Sequence, residues 1–239
     1  MADSINIGLI GGTFDPVHNG HLHLAEQARK LFELQEVKFI PAYRSPHKLA
    51  LEPVAREHRM AMLTLALKEK PNFSIDKREI NVDKVSYTIE TLKDLSSNHP
   101  DWKMSLILGG DAFRSIDTWK DCSQLLDFCN ILVGTRPGIE MEISESIKKE
   151  LSLNESETNS HASAIEKDKI VFKNLEKGTK VIFFQISPLD ISSKDIRQRI
   201  NKGEETKNLL PPSVDHYMMR HQLYRDDSPL NSGLNERKI

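Results

Sequence analysis

The sequence predicts an α/β fold, a doubly wound and mainly parallel sheet with helices on both faces. Short apolar runs of strand length alternate along the chain with longer segments whose apolar residues recur at helical spacing. A glycine-rich turn closes the first apolar run, just before the first helix. Sheets of this class bind ligands at the carboxyl ends of their strands, where the strand order reverses, so we expect a site at this turn.

In the first half of the chain, INIGLI (5–10) is a short apolar run bounded by glycine, as in a buried strand. Apolar residues at helical spacing then predict a helix from about Gly20. EVKFIPA (36–42) predicts a second strand, and VAREHRMAMLTLALKEK (54–70) predicts a helix that ends before a proline. A possible short strand and a further helix follow at FSIDKREI (73–80) and YTIETLKDLSS (87–97).

The second half repeats the alternation. KMSLILGGD (103–111), NILVGTRPG (130–138) and KVIFFQIS (180–187) predict three more strands. SSKDIRQRI predicts a helix over 192–200, with Ser192 or Ser193 as its N-cap, and PPSVDHYMMRHQLY predicts a last helix over 211–224.

Composition excludes several classes of protein. The 239 residues carry a formal net charge of −2, which argues against a nucleic-acid binder that works by bulk charge. No apolar run approaches the roughly 18 residues of a membrane span, and the N-terminus lacks the pattern of a signal peptide. The two cysteines allow neither a disulfide framework nor a zinc quartet, so we expect a cytoplasmic protein without membrane partners.

We expect a single domain over residues 1–225. Residues 140–166 hold seven Glu and only two Lys among many Ser and Asn, which predicts a solvated acidic insertion, partly helical near ISESIKKEL. The polar tail 226–239 is predicted to be disordered. The sequence does not indicate an oligomeric state.

The loop GGTFDPVHNGH fits neither the dinucleotide fingerprint G-x-G-x-x-G nor the P-loop. Gly11 and Gly12 still allow the backbone to approach a ligand closely. His18 and His21 flank the start of a helix, whose free N–H groups and dipole attract anions, and imidazoles there could donate to phosphate oxygens. The alternative is that one histidine caps the helix and the other is a surface residue.

The loop nevertheless resembles the H-x-G-H signature of the nucleotidylyltransferase superfamily, and more closely the bacterial nicotinate-nucleotide adenylyltransferases. Further segments resemble the motifs of this family in the same order: SPHK (45–48), VSYTIETL (85–92), LGGDAFRSIDTW (108–119), RPG (136–138), ISSKDIR (191–197) and LLPPSVDHYMMRHQLYR (209–225). The chain departs from the family pattern at Val85, where proline is usual, and at Lys194, where threonine is usual.

The resemblance implies a Rossmann-like fold and transfer of the adenylyl group of ATP to nicotinate mononucleotide. It implies catalytic roles for His18, His21 and Arg197. The residues that it places on ATP are Gly11, Gly12, Thr13, Phe14, His18, His21, Gly109, Ser192 and Arg197. Those that it places on the mononucleotide are Lys48, Thr88, Asp111, Trp119, Lys120 and Arg136. Mg²⁺ is expected as the counterion of ATP, without a protein ligand named for it.

Several of these residues have other interpretations. Asp111 could be a helix N-cap rather than a ribose ligand, Lys48 an exposed loop lysine, and Trp119 a core residue. The same chemistry could also act on nicotinamide mononucleotide or phosphopantetheine. A nucleotide-binding regulator without catalysis is a further alternative.

Overall fold

A computed structural model describes residues 4–46, 52–135, 143–155, 169–174, 176–187 and 189–225. Its strands are β1 (Ile5–Gly12), β2 (Glu36–Pro41), β3 (Phe73–Ile75), β4 (Trp102–Gly109), β5 (Cys129–Thr135), β6 (Asn154–Glu155), β7 (Lys169–Lys173) and β8 (Lys180–Gln185). Its α-helices are α1 (Asn19–Leu31), α2 (Arg56–Leu67), α3 (Thr88–Asn98), α4 (Gly110–Phe113), α5 (Glu145–Glu150), α6 (Ser193–Asn201) and α7 (Pro212–Arg220).

The strands form one sheet in the order β3-β2-β1-β4-β5-β8-β7-β6. Neighbours from β3 to β8 pair in parallel, whereas β8, β7 and β6 pair antiparallel. The order runs outward from β1 through β2 to β3 on one side and resumes with β4 on the other. The carboxyl ends of β1 and β4 therefore mark the point of reversal, and the prediction of a doubly wound, mainly parallel sheet is confirmed.

Buried side chains form one core on each face of the sheet. One core joins the sheet to α3 and α5, and the other joins it to α1, α2, α6 and α7. Neighbouring residues of β1 enter opposite cores, Leu9 the first and Ile10 the second, as the alternation of a strand requires. Gly134 lets α1 approach β5, since a Cβ there would lie 2.4 Å from the Leu24 side chain.

The structure differs from the predicted elements at several points. The antiparallel strands β6 and β7 have no predicted counterpart: β6 is two residues long, and the apolar run of β7, IVF (170–172), is only three residues long and lies between two lysines. The last helix ends at Arg220 rather than 224, and the next residues turn through positive φ angles at Gln222 and Tyr224. The helical part predicted in the insertion is present as α5, whereas 140–142, 156–166 and the tail 226–239 lie outside the described residues.

Candidate active site

A cavity of about 550 Å³ lies at the carboxyl ends of β1 and β4, where the strand order reverses. It is the position at which ligands bind in sheets of this class. Lys194 also lines it. The predicted site residues that line it are Gly11, Gly12, Thr13, Phe14, His18, His21, Gly109, Asp111, Ser192 and Arg197.

The loop between β1 and α1 forms one wall of this cavity. Phe14 has a φ of 50°, in the left-handed region that an aromatic residue rarely adopts. Its ring is buried, with its centroid 5.7 Å from that of Phe39 and 5.1 Å from that of His21. The side chain is thus used in the core, and Phe14 offers its backbone to the cavity.

A buried arginine holds the same loop from behind. Arg59, on α2, is 2% exposed. Its Nη1 donates to the carbonyl oxygens of Thr13 at 2.9 Å and Ala42 at 2.7 Å, its Nη2 to that of Tyr43 at 3.1 Å, and its Nε to that of Val54 at 3.1 Å. One guanidinium therefore ties together the backbone after β1, after β2 and before α2.

His18 and His21 cap the N-terminus of α1 reciprocally. The backbone N–H of His21 donates to Nδ1 of His18 at 3.4 Å, and the backbone N–H of His18 donates to Nδ1 of His21 at 3.3 Å. The two rings stack with centroids 3.7 Å apart. Gly20 permits this arrangement, since a Cβ there would lie 3.0 Å from Nδ1 of His18.

The capping bonds also set where the ring protons lie. Because Nδ1 of each ring accepts a hydrogen bond, the neutral tautomer carries its proton on Nε2. Burial lowers the pKa of His18 from 6.5 to about 4, so this imidazole is neutral at pH 7. His18 is thereby a neutral donor at a helix N-terminus, which gains favourable interactions when an anion arrives.

Helix α6 brings a second N-terminus to the cavity. Ser192 is its N-cap and accepts from the backbone N–H of Asp195 at 3.1 Å, while its hydroxyl donates to the Asp195 carboxylate at 2.6 Å. Ser193 donates to the carbonyl of Pro16 at 3.0 Å, and Arg197 Nη1 donates to the carbonyl of Asp15 at 2.6 Å. Two helix dipoles and a guanidinium thus converge on one space, which suits an anionic ligand.

Comparison with known families agrees with this geometry. Residues 9–199 match the model of the Cytidylyltransferase-like family. A "Probable nicotinate-nucleotide adenylyltransferase" of Thermoanaerobacter sp. (strain X514) is 34% identical over 229 residues, 95% of this chain and 98% of the relative. A protein of the same name from Geotalea uraniireducens (strain Rf4) is 34% identical over 93% of this chain and 99% of its own.

The chain belongs to the Cytidylyltransferase-like family and is a member of the nicotinate-nucleotide adenylyltransferases. The Plasmodium falciparum nicotinic acid mononucleotide adenylyltransferase complexed with NaAD has the same fold, with a TM-score of 0.66 at 19% identity over 92% of this chain and 97% of that one. The same enzyme complexed with APC gives a TM-score of 0.64 over the same shares of both chains. The sequence-based recognition of this adenylyltransferase family is confirmed.

Three of the residues that the family resemblance places on the mononucleotide do not line the cavity. Thr88 is the first residue of α3, and Trp119 packs against the core on that face of the sheet. Lys120 reaches the same helix end, with Nζ 2.8 Å from the Glu90 carboxylate and 4.5 Å from the Tyr87 ring centroid. Thr88 and Lys120 thus lie together at the N-terminus of α3, and the core interpretation of Trp119 holds in part.

The other three residues that the resemblance places on the mononucleotide are Lys48, Arg136 and Asp111, of which Asp111 lines the cavity. Lys48 and Arg136 lie outside the described residues. Asp111 is not a helix N-cap, because Gly109 has that position in α4; its exposed carboxylate is 2.5 Å from Arg114. The Nε2 atom of His23, two positions after His21, is buried without a hydrogen-bond partner among the described residues.

The sequence reasoning missed three residues that build the site: Asp15, Arg59 and Tyr224. Only Arg59 left a recognisable signal. It stands three and four positions before Met62 and Leu63, on the apolar stripe of α2, where an arginine is out of place unless its charge is paired inside.

Two searches of the described residues bear on other site types. Among them, no group of three or more His, Cys, Asp or Glu side chains could hold a metal ion. Within the same described residues, no helix is both long and apolar enough to cross a membrane.

Proposed function

We propose that the chain transfers the adenylyl group of ATP to nicotinate mononucleotide, giving deamido-NAD and pyrophosphate. The observation that carries this proposal is the meeting of His18, His21 and Arg197 in one cavity at the reversal of the strand order. They stand there in a chain that belongs to the nicotinate-nucleotide adenylyltransferase family.

The reaction joins two anions, so its main demands are alignment and dispersal of charge. The acceptor phosphate of the mononucleotide attacks the α-phosphorus of ATP, a new P–O bond forms, and the bond to the leaving pyrophosphate breaks. The attacking oxygen is already anionic and needs no general base. His18 and His21 would donate to the phosphoryl oxygens as their charge builds, and Arg197 would neutralise the pyrophosphate side.

The rest of the cavity suits an adenosine. Gly11, Gly12 and Gly109 leave the strand ends open, so that a ribose and base could lie against the backbone. Apolar residues also line the cavity, among them Ile186, Leu189 and Ile191. In this arrangement Thr13 and Phe14 contribute backbone groups, and Ser192 acts through the N-terminus of α6 that it caps.

The mononucleotide would extend from the phosphates towards α3. No side chain caps α3 in the described structure, so its first N–H groups could receive the nicotinate carboxylate. Thr88 and Lys120 stand at that end, and Trp119 would lie against the pyridine ring. Asp111 is exposed at the cavity and could accept from a ribose hydroxyl. Lys48 and Arg136 remain proposed phosphate ligands.

Mg²⁺ would enter with ATP, held mainly by phosphate oxygens and water, and would neutralise part of the phosphate charge. A cytoplasmic location is also proposed, and the two free, buried cysteines, Cys122 and Cys129, support it.

A panel of acceptors tests the proposal. Pyrophosphate release from ATP is measured with nicotinate mononucleotide, nicotinamide mononucleotide and phosphopantetheine, each at several concentrations. We expect the highest kcat/KM with nicotinate mononucleotide. A higher kcat/KM with either of the other acceptors would assign the chain to that acceptor. ATP binding without turnover on any acceptor would favour a nucleotide-binding regulator without catalysis.

A further inference from the structure

A buried tyrosine from the C-terminal turn contacts the active-site loop. Tyr224 is 9% exposed, and its hydroxyl donates to Oδ1 of Asp15 at 2.7 Å across 209 positions of sequence. Burial and the nearby Asp15 raise the pKa of Tyr224, which keeps the phenol protonated as a donor. The backbone N–H of Val54 donates to the same oxygen at 3.3 Å.

Asp15 in turn holds Arg197. Nη1 of Arg197 donates to the backbone carbonyl of Asp15 at 2.6 Å and lies 3.7 Å from its Oδ2. Asp15 and Arg197 both line the cavity, whereas Tyr224 does not. The tyrosine therefore has a fixed path to the cavity, through one carboxylate to one guanidinium.

We propose that Tyr224 and Asp15 are positioning residues that fix the Arg197 guanidinium for the phosphates of ATP. This inference rests on the proposed function for the identity of the ligand. With Oδ1 bound by Tyr224 and Val54, the Asp15 carboxylate cannot rotate, and Oδ2 stays beside the guanidinium. Arg197 is thus oriented before ATP binds, so that less of the binding free energy is lost in ordering it.

A double-mutant cycle with Tyr224→Phe and Arg197→Ala tests the coupling. The measured quantities are the ATP dissociation constant by calorimetry, which needs no acceptor, and kcat/KM for ATP. We expect Tyr224→Phe to raise the ATP dissociation constant about tenfold and to lower kcat/KM for ATP about tenfold. This is the size of the loss of one hydrogen bond to a charged group. In the Arg197→Ala background the same change should have almost no further effect, because the residue that is positioned is gone.

Tyr217→Phe is the matched control. Tyr217 also lies in the C-terminal region and also makes one side-chain hydrogen bond, at 2.9 Å to His58, but it does not touch Asp15. It should leave ATP affinity and kcat/KM within about twofold of the wild type. Asp15→Asn, which keeps the side-chain shape but removes its charge, should weaken ATP binding as Tyr224→Phe does.

Two results would overturn the inference. One is that Tyr224→Phe weakens ATP binding by the same factor in the Arg197→Ala background as in the wild type. The tyrosine would then act on the fold as a whole and not through Arg197. The other is a Tyr224→Phe protein with lower resistance to urea but unchanged ATP affinity. A wild-type enzyme that prefers a different acceptor would refute the proposed function and leave the coupling to ATP to be judged by the calorimetric cycle.

Discussion

The imidazoles of His18 and His21 stack at 3.7 Å and cap α1 through each other's Nδ1. The capping and the catalytic interpretations of this pair therefore do not compete. The capping bonds use the Nδ1 atoms and thereby fix the tautomer whose Nε2 carries the proton. A structural feature of the helix end thus prepares the two donors that the proposed reaction needs.

Replacing His21 by Ala tests its part in the transition state. We expect kcat to fall about 100- to 1000-fold, as on loss of one donor to a developing anion, with little change in the ATP dissociation constant. Steady-state kinetics and calorimetry measure the two quantities. His23→Ala is the matched control, since His23 lies on the same helix but does not line the cavity. An unchanged kcat in His21→Ala would remove His21 from the mechanism.

Acid should destabilise the protein partly through His18. Its pKa is about 4 when folded and 6.5 as a free side chain, so the unfolded chain binds the proton first as the pH falls. The stability contributed by neutral His18 is complete above pH 6.5 and is lost down to pH 4, in total about 3 kcal/mol. Urea unfolding between pH 7 and pH 4 should show a shallower decline for His18→Asn, which keeps an N-cap side chain. If the free energy of unfolding falls equally with pH in the wild type and in His18→Asn, this prediction is wrong.

Gly20→Ala should disturb catalysis without a direct contact to the reacting groups. The added Cβ would lie 3.0 Å from Nδ1 of His18 and 3.5 Å from the carbonyl of Ile191, so the histidine ring must shift. We expect kcat to fall at least tenfold. Gly11→Ala is the control for the effect of a glycine-to-alanine change on stability. A Cβ at Gly11 meets no described atom within 4 Å, so this variant should leave the free energy of unfolding nearly unchanged. A Gly20→Ala enzyme with wild-type kcat would refute the packing argument.

Much of the fold and part of the site could be predicted from the sequence, because those features depend on neighbouring residues. The apolar runs gave the parallel strands, and the His18 loop and Ser192 cap are local patterns. The contact between Asp15 and Tyr224 depends instead on how α7 ends and turns back, which no local pattern states. The same holds for Trp119, whose sequence surroundings are polar although it packs against a core.

Arg59 should contribute to stability more than an exposed arginine of the same helix. Arg59→Met leaves four carbonyl acceptors without their donor, and we expect the free energy of unfolding to fall by about 3 kcal/mol. Arg56→Met, at the exposed start of α2, should change it by less than about 0.5 kcal/mol. Urea unfolding at pH 7 measures both. Equal, small effects would show that water replaces the guanidinium at these carbonyls.

The family resemblance leads us to expect threonine at the position of Lys194, and the surroundings of this lysine indicate a different role for it. It lines the cavity in the first turn of α6, and no carboxylate of the described residues lies within 4.0 Å of it. A cation at a helix N-terminus is unfavourable until an anion binds. Lys194→Met should therefore stabilise the free protein by about 0.5 kcal/mol yet weaken ATP binding several-fold, most strongly at low salt. Thermal unfolding without ATP and calorimetry with ATP measure the two changes. Lys202→Met, at the C-terminal end of α6, should leave the ATP affinity unchanged. An unchanged ATP affinity in Lys194→Met would mean that Lys194 only faces solvent.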